Sequence, residues 1–508
     1  MQFTAWTKQG QVAGERARSP VCVFRGIPYA RPPVGPLRFR APEAPLAWQG
    51  TRDARSFGSA SPQDKGLATD IGDRSEDCLV LNVWTPAADN LKRPTLVWIH
   101  GGGFTSGSSA QELYDGEELA ARGGVVVVSF NYRLGVLGFG YLREVLGSAG
   151  SDLPANLGLR DQLAALRWVR DNIAEFGGDP ENVTLFGESA GAMSVSVLLS
   201  SPHARGLFKR AIAQSGGAHH VLYPDQASLI AETFVKAVGA SAAHPERLFK
   251  ASAEEIVVAQ RECIKRSVWR GARGKRVFQS GITLMPVIDG DVLPNDPLTA
   301  IANGSARDIP LLAGSNLEEW NYFLFLSEPD KRDIDEVTLL KILEKRQPGL
   351  GQAAVDFYRE RLGASLSPSA IYSAFESDRS FRMPSLRLYE ALAADGGTAF
   401  AYLFDFRSHL FHNQLGACHA LDIPFVFGTI EGRFGRGMTG GTEDAVQLSR
   451  RMLDAWVAFA RTGDPSHERL GAWPAYDMSS RATLRLGLSV RVESDPLAAF
   501  RPFWEDLV

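Results

Sequence analysis

The sequence predicts an α/β protein built on a large, mostly parallel central sheet with helices on both faces. Two observations carry that expectation. Short apolar runs rich in Val and Ile, of which Thr95–His100 (TLVWIH) and Gly124–Phe130 (GVVVVSF) are the clearest, are bounded by turn residues and lack polar alternation. Such runs suit strands buried on both faces. Between them stand stretches with apolar residues at helical spacing, so strand and helix alternate as they do where crossover helices join parallel strands.

Taken in order, the first 60 residues are rich in Pro, Gly and Arg (RGIPYARPPVGPLRFRAPEAP) and read as an irregular, anchored lead-in. The two strands follow. Leu157–Phe176 reads as a helix, stopped at Gly177-Gly178-Asp179-Pro180 because glycine and proline do not sustain one. Next come a strand (Val183–Phe186), a turn (Gly187–Gly191), a helix through about Leu199 and a strand at Arg210–Gln214. Ile309–Ala313 and Thr398–Phe406 are further strands, while residues 225–300 and 325–395 read as mainly helical insertions. No linker, solenoid period or low-complexity tract divides the chain. A single domain over residues 1–508 is expected.

Composition excludes several classes. With 54 basic and 58 acidic residues the formal net charge is -4, and no basic surface of the kind nucleic-acid binders carry is expected. No run of about 18 apolar residues suggests a membrane span, and the N-terminus lacks the pattern of a secretory signal. Cys22, Cys78, Cys263 and Cys418 form no CxxC pair or His/Cys cluster, which points to reduced, buried thiols in a cytoplasmic protein. The basic run Lys265–Arg276 (KRSVWRGARGKR) reads as a solvated loop.

The chemistry begins at FGESAGAMS, Phe186–Ser194. Gly-x-Ser-x-Gly between a strand and a helix is a nucleophile elbow: the turn is so tight that its flanking positions must be small, and it presents the hydroxyl of Ser189 at the top of the sheet. His100-Gly101-Gly102-Gly103-Phe104 follows a buried strand. Three ordered glycines cost entropy, and an oxyanion hole of side-chain-free N–H groups is a good reason for them. A serine nucleophile needs a base of near-neutral pKa, hence a histidine. In the order Ser, acid, His, the candidates are His409, His412 and His419, all just past the strand Thr398–Phe406, and spacing does not choose among them. The acid should follow an intermediate strand. IPLLAGSNLEEW offers Glu318 and Glu319, of which only one can point at the histidine.

These residues resemble the type-B carboxylesterase (cholinesterase-like) family of the α/β-hydrolase fold, and its bacterial para-nitrobenzyl esterases most of all. The likeness runs through FRGIPYARPPVGPLRF, SEDCLVLNVWTP, HGGGF, NYRLGVLGF, the long stretch Asn156–Ala192, AIAQSG, FRMP, HALDIPFVFG and WVAFARTGDP. The resemblance implies Ser189 as nucleophile, His419 as base, Glu319 as acid, and the N–H groups of Gly102, Gly103 and Ala190 as the oxyanion hole. Trp320 departs from the glycine usual after the acid. The family's first disulfide would join Cys78 to a position that aligns with Ser61, so Cys78 is expected to be unpaired. Pro62–Asp77 has no aromatic residue to hold a quaternary ammonium by cation–π attraction, which argues against choline esters. Phe104, Trp320, Phe323 and Phe411, together with Tyr322, Phe325 and Leu410, are candidates to line an apolar pocket. The implied reaction is hydrolysis of small to medium apolar esters through an acyl-enzyme, with a small-molecule ester as the only partner and no cofactor or metal. An amidase or carbamate hydrolase on the same triad, or a non-catalytic binding protein, are the alternatives.

Overall fold

The computed structural model describes residues 3–64, 71–265 and 282–505; most of the basic run Lys265–Arg276 lies outside them. Among the described residues thirteen strands form one sheet: β1 (Phe3–Thr7), β2 (Gly10–Arg16), β3 (Cys22–Pro28), β4 (Thr51–Asp53), β5 (Val80–Thr85), β6 (Arg93–Ile99), β7 (Val126–Phe130), β8 (Gly178–Glu188), β9 (Arg210–Gln214), β10 (Leu311–Asn316), β11 (Ala399–Phe404), β12 (Ala482–Leu486) and β13 (Arg491–Ser494). Their spatial order is β1-β2-β3-β5-β7-β6-β8-β9-β10-β11-β12-β13, with β4 beside β2. The run from β7 to β12 is parallel throughout, while antiparallel pairs finish both ends.

The lead-in is therefore not irregular. It supplies β1 to β4, which the sequence pattern did not reveal. β1 is half-exposed and alternates, and β3 is broken by a register shift between Phe24 and Ile27, so neither offers a continuous apolar run. In β6 to β10 alternate side chains feed two cores. Val97, Leu185, Ala213 and Ala313 face one side; Trp98, Phe186, Ile212 and Leu312 face the other, against the helix Glu443–Thr462 and its Trp456. Burial on both faces explains why these strands read as unbroken hydrophobic runs.

The helix Leu157–Asn172 tightens into a 3-10 turn, Ile173–Phe176, before Gly177 ends it with φ 78°. Asp161 on this helix holds Arg133 through two hydrogen bonds of 2.6 and 2.8 Å, both groups buried. The insertion after residue 325 includes the helices Pro368–Ser377 and Met383–Ala394, separated by a π-helical turn, Asp378–Arg382.

The strand ends are level. Gly187 pairs with Ile99, Glu188 with Gln214, and Gln214 with Gly314. The chain segments leaving β6, β8, β9 and β10 thus emerge side by side at the carboxyl edge of the sheet, where open α/β sheets place their sites. Among the described residues no helix is long and apolar enough to cross a membrane. Cys22, Cys78, Cys263 and Cys418 are buried, and no disulfide joins them among the described residues. Ser61 does lie beside Cys78, hydrogen-bonded to a thiol that burial pushes up to about 12.

Candidate active site

Ser189 leaves β8 with φ 56° and ψ -126° and caps the helix Ala190–Leu198. A non-glycine residue in this conformation is strained by about 1–3 kcal/mol. Its amide donates to the Gln214 carbonyl at 2.9 Å and its carbonyl accepts from Met193 at 2.8 Å, so the neighbouring strand and the helix hold the strain. A Cβ on Gly191 would stand 2.0 Å from the Ile99 carbonyl oxygen, and one on Gly187 would stand 2.6 Å from the Gly191 carbonyl carbon. Only glycine fits either place.

The structure brings Glu319 and His419 together. Glu319 follows β10 and is fully buried; its Oε2 lies 2.6 Å from His419 Nδ1. Its Oε1 accepts from the Ser215 hydroxyl at 2.5 Å and from the Asn316 amide at 2.7 Å. Glu318 turns away, ion-paired with Arg407 at 2.8 Å and accepting from the Ala417 amide. His409 and His412 sit exposed in the loop before His419.

Sequence reasoning missed a second carboxylate. His419 Nε2 lies 3.0 Å from Oε1 of Glu188, the residue before Ser189. No hydrogen bond joins the imidazole to Ser189 Oγ among the described residues; catalytic contacts of this kind often close only when substrate is bound. Burial pulls the His419 imidazole down, but Glu188 and then Glu319 outweigh it and push it up to about 9. Burial raises Glu188 to about 8. Groups this close titrate as a pair. Behind them Asp422 is buried and accepts from Gln214 Nε2 at 2.8 Å and the Tyr402 hydroxyl at 3.2 Å.

The glycine loop borders this constellation. A Cβ on Gly101 would come within 2.8 Å of Glu188 Oε2 and 3.1 Å of Ser189 Cβ. Gly102 and Gly103 have φ of 113° and 60°, and no described residue accepts a hydrogen bond from the amides of Gly102, Gly103 or Ala190. His100 is held neutral, its pKa lowered to about 4 by burial, and its Nδ1 bonds the Gly101 carbonyl at 2.8 Å. Gly101 C=O and Gly102 N–H belong to one planar peptide and point in opposite directions, so this bond also aims the Gly102 amide.

Of the expected pocket residues, Phe323 reaches the site, its ring centre 5.2 Å from that of His419. Trp320 packs against Phe323 at 4.7 Å with the rings tilted, its indole donating to Glu328 at 3.2 Å. Phe104 is fully buried against Phe139, 4.8 Å away, within the core. Phe411 is exposed and packs on Phe325 at 5.0 Å, away from the imidazole. Phe381, not anticipated, packs closest, at 4.4 Å.

The sequence profile of the Carboxylesterase family matches residues 2–504. The chain belongs to the carboxylesterase family. This carboxylesterase is 38% identical to the para-nitrobenzyl esterase of Bacillus subtilis (strain 168) over 96% of both chains. It is 34% identical to the phenmedipham hydrolase of Pseudarthrobacter oxydans over 92% of this chain and 91% of that one. The crystal structure of the Geobacillus stearothermophilus carboxylesterase EST55 at pH 6.2 superposes with a TM-score of 0.87 at 38% identity, covering 99% of each chain. The fold is that of the α/β-hydrolases.

Proposed function

We propose that this carboxylesterase hydrolyses small to medium apolar carboxylic esters through a Ser189–His419–Glu319 triad and an acyl-enzyme. The observation that carries the reading is the 2.6 Å contact of Glu319 with His419 Nδ1 beside the strained elbow of Ser189. His419 takes the Ser189 proton as Oγ attacks the ester carbonyl carbon. The carbonyl π pair moves to oxygen, and the amides of Gly102, Gly103 and Ala190 receive that oxyanion, each donor worth about 3 kcal/mol of barrier. His419 then protonates the leaving alcohol, the C–O bond breaks, and acyl-Ser189 remains. Water repeats the sequence in reverse and releases the acid. Glu319 fixes the tautomer of His419 and stabilises its cation. The continuous sheet supports a single domain, and four buried thiols fit the reducing cytoplasm.

The test is a panel of p-nitrophenyl esters of graded acyl length with a p-nitroanilide alongside, run on the wild type and on Ser189→Ala. Short and medium esters should turn over, the anilide far more slowly, and Ser189→Ala should be inert though folded. Activity of Ser189→Ala within tenfold of wild type would overturn the assignment. A faster anilide would favour an amidase.

A further inference from the structure

The loop between β11 and His419 has a strained backbone. Phe411, His412 and Asn413 have φ of 51°, 56° and 67° in succession, a left-handed turn that L-residues adopt only at a cost. Such strain persists where the surroundings hold it, and it clusters at functional positions. Here Asn413 N–H closes on the His409 carbonyl at 3.3 Å and Gln414 N–H on the Phe411 carbonyl at 3.1 Å. The Gln414 carbonyl accepts from Asn321 Nδ2 at 3.1 Å, which fastens the loop to the helix Asn321–Leu326 that follows the acid. The side chain of Phe411, 38% exposed, thereby rests on Phe325 of that helix.

Over this pair lies Arg332. Its Cζ stands 5.3 Å from the centre of the Phe325 ring and 5.6 Å from that of Phe411. Nε donates to the Leu324 carbonyl at 3.4 Å and Nη2 to the Phe325 carbonyl, so the last turn of the helix holds the guanidinium in place. Nη1 donates to no described residue. Nor does any carboxylate among the described residues pair with Arg332, although Asp330 and Asp333 stand exposed beside it in the chain. The result is an exposed, fixed cation on two apolar rings. Its free edge suits a carboxylate, and the rings suit an aromatic body joined to that carboxylate.

The helix relates this patch to the chemistry. Tyr322 and Phe325 are three residues apart and share one helical face. The Tyr322 ring lies 6.1 Å from that of His419, so the face runs from the imidazole to the exposed pair, about 5 Å further along the axis. In the proposed reaction His419 protonates the leaving alcohol, which puts the alcohol part of the ester on the imidazole's side, at the start of this face. We infer that Arg332 determines specificity for the leaving group: its guanidinium, above the Phe325–Phe411 pair, receives a carboxylate carried on an aryl alcohol. The inference rests on the triad proposed above, because His419 is what places the alcohol there.

The test compares two acetate esters of nearly one shape, 3-(4-acetoxyphenyl)propanoate and its primary amide, which differ in charge. kcat/KM is measured at pH 8 for wild type and Arg332→Gln, in about 20 mM and about 300 mM NaCl. The product acid, 3-(4-hydroxyphenyl)propanoate, is titrated calorimetrically against both proteins. Wild type should prefer the carboxylate by about tenfold at low salt and by about threefold or less at high salt, because an exposed pair is screened. Arg332→Gln should lose the preference and bind the product acid about tenfold more weakly, while its kcat/KM for the amide stays within twofold of wild type. An equal loss on both esters would overturn the inference, leaving Arg332 a brace of the helix, and a preference that survives the substitution would overturn it too. Should Arg332→Gln not fold, wild type decides alone: no preference, or one that salt leaves unchanged, refutes the carboxylate site. A wild type inert on both esters would instead refute the proposed function, and the calorimetry would still decide on Arg332, product binding unchanged in Arg332→Gln refuting the site.

Discussion

At Glu319 both carboxylate oxygens are occupied, one by His419 and the other by Ser215 and the Asn316 amide. A buried carboxylate needs such partners to remain charged, and a charged acid is what stabilises an imidazolium. Glu318 has its own partners, the exposed Arg407 guanidinium and the Ala417 amide. Glu319→Gln should accordingly lower kcat by about 10³–10⁴, and Glu318→Gln by less than about threefold because its field is screened; kcat of both on one short ester near pH 8 checks the ranking. Glu188 makes a different prediction. The proposed mechanism needs neutral His419, whose protonation Glu188 favours. The acid limb of kcat/KM should therefore lie above the pH 6.5 or so of a free imidazole. Glu188→Gln removes a negative charge, so the limb should move to lower pH, and at pH 6 the variant should keep a larger fraction of its maximal kcat/KM than wild type. A pH–rate profile of the two enzymes measures it, and a limb that stays or moves upward would contradict the pairing.

Elements carry the next constraint. The elbow is a turn in which β8, the helix Ala190–Leu198 and the end of β6 touch backbone to backbone, and Gly191 is where they meet. Gly191→Ala would drive a methyl group into the Ile99 carbonyl. Overpacking of this kind costs typically 1–3 kcal/mol and more where backbone must yield, so the variant should lose at least about 2 kcal/mol in urea unfolding and most of its esterase activity. The elbow was legible in the sequence for the same reason: tight turns force particular residues at fixed spacing. So were β6 to β11, because burial on both faces leaves an apolar run. β1 to β4 were not legible: β1 is half-exposed and β4 exposed, β3 is broken by its register shift, and the surrounding prolines and glycines obscured what pattern remained. Nor were Glu188, Ser215 and Phe381. Glu188 fills a free position of the elbow motif, Ser215 reaches Glu319 across a strand, and Phe381 is aimed by a π turn that leaves no periodic trace. Spacing ranks residues near one another in the chain. It says little of pairs about 100 positions apart, which is why spacing left His409, His412 and His419 equivalent: the family resemblance singled out His419, and the fold sets that residue against Glu319.

On the scale of the whole molecule, the four thiols lie buried. A thiol reagent should find none of them in the native protein and all four after unfolding without reductant; a count of two in the unfolded state would reveal a disulfide. The level strand ends have a wider consequence. Glu188, Gln214 and Gly314 sit abreast in parallel register, and from that line the chain places Ser189, Ser215 and Glu319. Side chains alternate between faces along a strand, so one residue inserted or deleted within β8, β9 or β10 would send the next side chain to the opposite side and sever serine, hydroxyl or carboxylate from the rest. Surface loops between elements carry no such phase. Lineages descending from this architecture, and laboratory libraries built on it, are thus free to lengthen those loops, whereas the spans of three short strands are held to a fixed count.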